Sequence, residues 1–212
     1  FKTGESVTAG AIDQKFARVA LASAKAVTIF SPPGYKSEFI WDTLKTRVSS
    51  MEFSPDGRSL LLGGSDGMIY RWKFADAKDA SDGPQGDTAF EKYYGHPTIV
   101  SRVKFHPFGR MFFSADWSGV VLAWLRYDSD QFGGEYDKSL LSGPLFAVGS
   151  DRMRLARSDT DQIEALRLTG DGKILLVATQ GGTLELWKTR GLKKEASILA
   201  HRGLIYDAVI SD

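Results

Sequence analysis

A pattern of three short segments recurs along this 212-residue chain, and its clearest copy lies in residues 48–72. Apolar and polar residues alternate in Val48–Phe53, as in a β-strand with one buried face. The turn Ser54–Gly57 leads into the apolar run Leu60–Leu62, which is typical of a strand buried on both faces. A glycine-rich turn then precedes a second alternating run, Met68–Trp72. This copy therefore predicts three antiparallel strands joined by tight turns.

The same order of segments returns in residues 100–124 and again in residues 163–187. A weaker copy covers residues 7–30, and residues 205–210 match the first strand of a further copy. Once two inserts are set aside, at 75–87 and 126–161, the copies repeat at the roughly 40–45 residues that are typical of β-propeller blades.

Short motifs within these copies resemble those of the WD-repeat family. Gly-His stands before the second full copy, Ser-Pro-Asp-Gly forms the first turn of the clearest copy, and Asp-Gly precedes its last strand. The third strand of each full copy closes on tryptophan. The resemblance implies a β-propeller that binds other proteins. It also implies that these residues form the structural repeat motif: Asp66, His96, Ser114, Trp72, Trp124, Trp187 and His201.

The chain departs from the family pattern in its polar residues. WD repeats can hold a His, a Ser or Thr, an Asp and the closing Trp in one hydrogen-bonded set, and no repeat here keeps all four. The repeat of Trp124 has Ser118 where Asp is expected, and that of Trp187 has Gly181. The repeat that ends at Trp72 lacks a preceding Gly-His. We expect a diverged propeller that is stabilised mainly by strand packing.

The predicted fold is all-β, a β-propeller of four-stranded antiparallel blades, with about four blades plus one strand present. The expected blades span residues 5–44, 45–95, 96–158 and 159–200, and residues 201–212 begin a further blade. The outer strands are expected near residues 38–41, 90–94, 145–148 and 196–199. We expect the chain to be part of a larger, about seven-bladed propeller, which would need roughly 300 residues. Two other arrangements stay open: blades supplied by a second chain, or a ring closed by four or five blades.

Composition argues against several classes of function. The chain has no cysteine and three histidines, which stand in Gly-His positions or in a turn, so we expect no metal, no cofactor and no enzyme activity. Asp128 and Asp130 resemble the start of a calcium loop but lack its later ligands. A net charge of +1 with interspersed charges predicts no nucleic-acid partner. No apolar run is long enough for this segment to insert into a membrane.

Aromatic and arginine residues in predicted loops are the candidates for binding a protein partner, because Trp, Tyr and Arg dominate interface energies. Trp117 stands out, since most blades have a small or polar residue in that turn; it either packs on a neighbouring blade or faces a partner. The candidates are Trp41, Arg47, Tyr93, Tyr94, Phe108, Trp117, Tyr127 and Tyr136.

The leading functional hypothesis is a non-catalytic scaffold that binds other proteins or further domains of its own longer chain. A second hypothesis is an extracytoplasmic sensory or regulatory domain of a larger bacterial membrane protein, such as a transporter permease. A third is an enzyme that uses the axial channel, which would require acidic or histidine clusters at the strand starts. The sequence is compatible with a cytoplasmic or a periplasmic location.

Overall fold

The computed structural model describes residues 6–24, 26–42, 44–74, 90–109, 111–125, 152–155 and 161–211. The chain divides into two compact units, Phe1–Phe105 and His106–Asp212. The described residues form four four-stranded sheets, and in each sheet the strands neighbour one another in chain order. The all-β prediction of four-stranded antiparallel blades is thereby confirmed.

The first sheet consists of β1 (Ala9–Ile12), β2 (Val19–Ala22), β3 (Val27–Ser31) and β4 (Lys36–Trp41). The second consists of β5 (Val48–Phe53), β6 (Ser59–Gly64), β7 (Met68–Lys73) and β8 (Phe90–Tyr94). The third contains β9 (Val100–Phe105), β10 (Met111–Asp116), β11 (Val121–Leu125) and β12 (Arg152–Arg154). The fourth contains β13 (Ile163–Leu168), β14 (Ile174–Thr179), β15 (Thr183–Lys188) and β16 (Lys193–Leu199), with a single 3-10 turn at Arg190–Leu192.

Two strand predictions need correction. The outer strand of the third sheet is Arg152–Arg154, inside the predicted insert 126–161, whereas residues 145–148 lie outside the described residues. Residues 205–210 form no strand, although their sequence matches the first strand of a repeat. Strand assignment depends on a hydrogen-bonded neighbour, which sequence alternation does not supply. The insert 75–87 lies outside the described residues.

In the first unit, β6 is the buried centre of the second sheet. Leu60, Leu61 and Leu62 of β6 are fully buried, as predicted for an apolar run covered on both faces. Aromatic rings extend this core at the edge of the second sheet, where Trp41 stacks on Phe90 with ring centroids 3.8 Å apart. In the second unit, the corresponding core contains Phe113, Leu175, Val177 and Trp187, which are packed in one cluster.

Polar contacts tie the first sheet to the second. Arg18 donates two hydrogen bonds to the Asp13 carboxylate, at 2.9 and 2.6 Å, and a third to the carbonyl of Gly57. Its guanidinium also lies 4.5 Å from the ring centroid of Phe74. Near the other end of β1, the Thr8 hydroxyl donates to the Val48 carbonyl at 2.7 Å. The Arg18 guanidinium therefore joins the two sheets beyond one end of β1, and a hydroxyl–carbonyl hydrogen bond joins them near the other end.

Among the described residues, no helix is long and apolar enough to cross a membrane.

Candidate protein-interaction site

The third sheet keeps one hydrogen bond of the WD-type polar set. The indole Nε1 of Trp124 donates to the Ser114 hydroxyl at 2.7 Å, and both side chains are buried. Phe112 stacks beside this tryptophan with ring centroids 5.8 Å apart. The bond satisfies an indole N–H that would otherwise be buried without an acceptor.

The turn that follows Ser114 is organised by Asp116, a residue that the sequence analysis missed. Its side-chain Oδ1 accepts hydrogen bonds from the backbone N–H and hydroxyl of Ser118, at 2.9 and 2.8 Å, and from the N–H of Val120 at 3.0 Å. Asp116 is fully buried. The Asp that holds the turn thus lies two residues before Ser118, where the family pattern has its Asp. The order Asp-x-Ser-Gly could have indicated this, because Asp often caps the backbone of a tight turn.

In the fourth sheet a carboxylate replaces the hydroxyl. The residue that matches Ser114 is Val177, which has no acceptor, and the Trp187 indole donates to Glu185 at 3.0 Å instead. Glu185 is 1% exposed and also accepts a hydrogen bond from Lys194 at 2.9 Å. The Lys194 ammonium lies 5.1 Å from the Trp187 ring centroid. The polar set is therefore rebuilt locally from charged residues.

Two further motif residues, Asp66 and Trp72, belong to the second sheet. Asp66 accepts hydrogen bonds from the Met68 N–H at 3.1 Å and from the Tyr70 hydroxyl at 2.5 Å, so it supports the turn between β6 and β7. Trp72 is 5% exposed and packs against Phe74 and Phe90.

The two histidines of the Gly-His positions differ in exposure. His96 is 9% exposed, and its carbonyl oxygen would lie 2.5 Å from a β-carbon placed on Gly67. His201 is exposed, and its Nδ1 accepts a hydrogen bond from the Gly203 N–H at 3.2 Å. Close backbone approach at Gly67 explains why the turn before β7 needs glycine.

Trp117 is 50% exposed and lies directly after Asp116, in the turn between β10 and β11. In the second unit, the ring Nε2 of His106 contacts the carbonyl of Gly172 at 3.0 Å, so the turns after the first strands of the two repeats are neighbours. Because the strands are antiparallel, the turns at Trp117 and Gly182 lie at the opposite end of these sheets.

Residues 200–203 belong to the same end of the second unit. The N–H groups of Ala200 and His201 donate to the Gly182 carbonyl, at 3.0 and 3.2 Å. Arg202 follows in an exposed position. This end therefore carries Trp117, His201 and Arg202. Arg202 was absent from the predicted candidates, because it belongs to no motif of the repeat.

One predicted binding residue is corrected by the structure. Trp41 was counted among the loop candidates, although an outer strand was also predicted near residues 38–41. It ends strand β4, in agreement with the strand prediction, and it is 4% exposed and stacked on Phe90. Alternation is weak in this outer strand, so the sequence did not show that the tryptophan faces inward. Within this chain Trp41 is a core residue.

Tyr93 and Tyr94 lie in β8, which agrees with the outer strand predicted near residues 90–94 and corrects their inclusion among the loop candidates. The Tyr93 hydroxyl donates to the Glu91 carboxylate at 3.0 Å, and burial together with the Glu91 charge raises the pKa of Tyr93 to about 12. Partial burial acts to raise the pKa of Glu91, but hydrogen bonding by Lys73 and the charge of Arg71 outweigh it, and that pKa is lowered. Tyr94 is 59% exposed.

The other candidates are exposed or lie outside the described residues. Arg47 is exposed in the segment between the first and second sheets. Phe108 is 65% exposed in the turn after β9. Tyr127 and Tyr136 lie outside the described residues.

No group of three or more His, Asp or Glu side chains that could hold a metal ion occurs in the part of the chain that the structure describes. The acidic groups discussed above are engaged in turns or ion pairs.

Comparison with known proteins gives three matches. The family model described as "WD domain, G-beta repeat" matches residues 40–73 and 88–124. Telomerase protein component 1 of Rattus norvegicus is 27% identical over 141 residues, which are 66% of this chain and 4% of that protein. A chain in the crystal structure of the mitotic checkpoint complex superposes with a TM-score of 0.69 at 15% identity, over 95% of this chain and 53% of that chain.

The similarity to the chain of the mitotic checkpoint complex is a similarity of fold, because the sequence identity is low. This chain spans about half of that structural relative and a small part of the curated one. The matched repeats coincide with β4–β7 and β8–β11, and every described sheet has the four-stranded antiparallel form of a blade. Residues 40–73 and 88–124 are therefore WD40 repeats, in a chain whose fold is similar to that of the structural relative.

Proposed function

We propose that this chain is a non-catalytic protein-interaction scaffold that binds a protein partner through the end of the second unit carrying Trp117. WD40 propellers generally act as interaction scaffolds. The observation that carries the proposal is a half-exposed indole on a turn whose backbone is fixed by a buried carboxylate. Large aromatic side chains held on rigid elements are the residues that contribute most to interface energy.

The exposed residues at this end of the second unit suggest the chemistry of the partner. The indole offers a flat apolar surface, and Arg202 at the same end offers an exposed guanidinium that can bind a carboxylate in a bidentate manner. A partner that presents an apolar side chain beside an acidic residue fits this combination. We also propose that the larger propeller predicted from the sequence is the context in which this surface works.

Site-specific photo-cross-linking tests the proposal. Replacing Trp117 by p-benzoylphenylalanine should yield adducts with a defined protein in the native extract. The same replacement at Phe108, which is more exposed than Trp117 and lies in a turn at the opposite end of the sheets, is the control. Adducts that form at position 108 and not at position 117 would refute the assignment.

Affinity measurements with the purified cross-linked partner complete the test. Trp117→Ala should weaken binding by tenfold or more, which corresponds to about 1.4 kcal/mol or more. Its thermal unfolding should change little, because the indole is half exposed. Equal affinity of the variant and the unaltered chain would overturn the proposal.

A further inference from the structure

The end of the fourth sheet where β15 connects to β16 is rich in cations. Residues 171–195 contain five lysine and arginine residues and three carboxylates, an excess of two positive charges in a chain whose net charge is +1. Lys194 is paired with the buried Glu185, so this pair contributes no exposed charge excess. The other four cations are all exposed: Lys173, Lys188, Arg190 and Lys193.

The strand register brings the lysines of this end together. Lys188 and Lys193 are directly opposite each other in the last pair of β15 and β16, and Ile174 of β14 lies opposite Lys188. The Thr189 N–H donates to the Lys173 carbonyl at 2.9 Å, so the start of the β15–β16 connection is held against β14. Neighbouring strands are about 4.8 Å apart, and the three lysines therefore lie at the same end of three adjacent strands.

This arrangement opposes the stability of the folded chain. Like charges directly opposite each other destabilise a pair of antiparallel strands, and Lys188 and Lys193 are such a pair. Lys188 is paired with Glu195 at 2.6 Å, whereas Lys193 has no ion pair with a residue that the structure describes. An anionic ligand at this end would relieve the repulsion.

The neighbouring edge of β16 can accept a further strand. β16 is the last strand in the order of the fourth sheet, so within the described chain its backbone is paired on one side only. A bulge separates its basic end from residues 196–199, which pair regularly with β15. Leu199, at the far end of the strand, is 69% exposed. An open backbone edge and an apolar side chain thus adjoin the group of cations.

We propose that this basic edge, residues 188–199 together with Lys173, binds a polypeptide segment that adds to β16 as an antiparallel strand and places an acidic tail on the lysines. Antiparallel addition puts the apolar residues of the ligand first, opposite residues 196–199, and its carboxylates after them, beside Lys193 and Lys188. The lysines attract carboxylates, and the open edge binds main-chain N–H and C=O groups, which a polypeptide has and a nucleic acid or a lipid headgroup lacks.

The same lysines give the edge its specificity. Charged side chains, and lysine above all, protect an edge strand from pairing with uncharged strands. A strand with an acidic tail meets attraction instead of that obstacle, so the edge discriminates between the two kinds of segment.

A synthetic peptide of sequence VTVTVDEDE, with acetylated and amidated ends, is a suitable probe. The intact 212-residue chain should bind it in a saturable one-to-one manner that weakens as salt is raised, and hydrogen exchange should show new protection of the amides of residues 196–199. The uncharged peptide VTVTVNQNQ, which has the same shape, should bind at least tenfold more weakly. Absence of new protection at residues 196–199, or equal affinity of the two peptides, would overturn the proposal.

Charge reversal in the chain locates the binding. Lys188→Glu with Lys193→Glu should weaken binding of the acidic peptide by tenfold or more without loss of folding, because both side chains are exposed. The basic peptide VTVTVKRKR should bind this double variant and not the unaltered chain. Equal affinity of the acidic peptide for the double variant and the unaltered chain would show the proposal to be wrong.

Lys36→Glu is the matched control, because Lys36 is the exposed first residue of β4, the outer strand of the first sheet, and lies opposite Ser31. It should bind the acidic peptide normally. Trp117→Ala should also bind it normally, which separates this edge from the proposed partner site.

A single-stranded oligonucleotide of mixed sequence tests the competing ligand class. Weak binding that does not displace the acidic peptide supports the proposal. Oligonucleotide binding that is tighter than peptide binding and is lost in Lys188→Glu with Lys193→Glu would identify a nucleic acid as the ligand and overturn it.

Discussion

The indole nitrogen of Trp187 donates a hydrogen bond over 3.0 Å to the carboxylate of Glu185, two residues earlier in the same strand. The register of the outer strand explains why this works: Lys194 of β16 lies opposite Trp187, so its ammonium reaches both the carboxylate and the ring face. One buried carboxylate thereby links two strands and satisfies the closing tryptophan of the blade.

Removal of this carboxylate should destabilise the second unit strongly. Glu185→Ala leaves the indole N–H buried without its acceptor and Lys194 without its partner, so we expect a loss of about 2–4 kcal/mol in the free energy of unfolding. Glu185→Gln keeps an acceptor and should lose less. Urea unfolding monitored by tryptophan fluorescence measures both. Glu195→Gln, which removes an exposed ion pair with Lys188, should cost less than about 1 kcal/mol.

Ser114 should behave as a simpler acceptor. Ser114→Ala removes the hydroxyl that accepts the hydrogen bond of the buried Trp124 indole, and we expect a loss of about 1–3 kcal/mol in unfolding free energy. Trp124→Phe removes the donor, so adding Ser114→Ala to it should cost much less than Ser114→Ala alone. A double-mutant cycle in urea measures this coupling. Additive costs would show that the hydrogen bond contributes little.

The strands of the full repeats were predictable because alternation, turn residues and apolar runs agree there. The first strands Val48–Phe53, Val100–Phe105 and Ile163–Leu168 were predicted with the bounds that the structure shows. Tight turns with glycine at positive φ, such as Gly57 and Gly172, followed from local backbone chemistry. Local signals were sufficient for the fold because each blade is built from short-range pairings.

The compensating polar residues were not predictable in the same way. Glu185 alternates with leucines and looks like an outward-facing residue, and its burial depends on Lys194, whose position follows from the register of a different strand. Trp41 was misplaced because the outer strand has little alternation. The exposure of Trp117 depends on which atoms of the folded chain cover its turn, and the local sequence does not contain that information.

A glycine pair in the first unit separates close approach from backbone strain. Gly67 and Gly34 have nearly the same φ, 79° and 77°, but a β-carbon on Gly67 would meet the His96 carbonyl oxygen at 2.5 Å, whereas one on Gly34 would meet nothing within 4 Å. Gly34→Ala should cost about 1–2 kcal/mol from conformation alone. Gly67→Ala should cost clearly more, about 3 kcal/mol or above. Thermal or urea unfolding compares the two, and equal losses would contradict the close contact.

Tyr93 should make the first unit sensitive to alkaline pH. Its pKa is raised from 10.0 to about 12 by burial and by the Glu91 carboxylate, so the folded chain holds the phenolic proton more tightly than the unfolded chain does. The resulting stabilisation is complete below pH 10 and is lost as pH rises from about 10 to about 12, because the unfolded state releases its proton first. Tyr93→Phe removes the titration, and we expect its stability to fall with pH by about 1–2 kcal/mol less than that of the unaltered chain. Urea midpoints between about pH 9 and about pH 12 measure the slopes, which a constant loss of the Glu91 hydrogen bond does not affect.

Tyr94→Phe, at the exposed neighbouring position, is the control and should keep the slope of the unaltered chain. A Tyr93→Phe slope equal to that of Tyr94→Phe would show that the Tyr93 proton is not held by the fold.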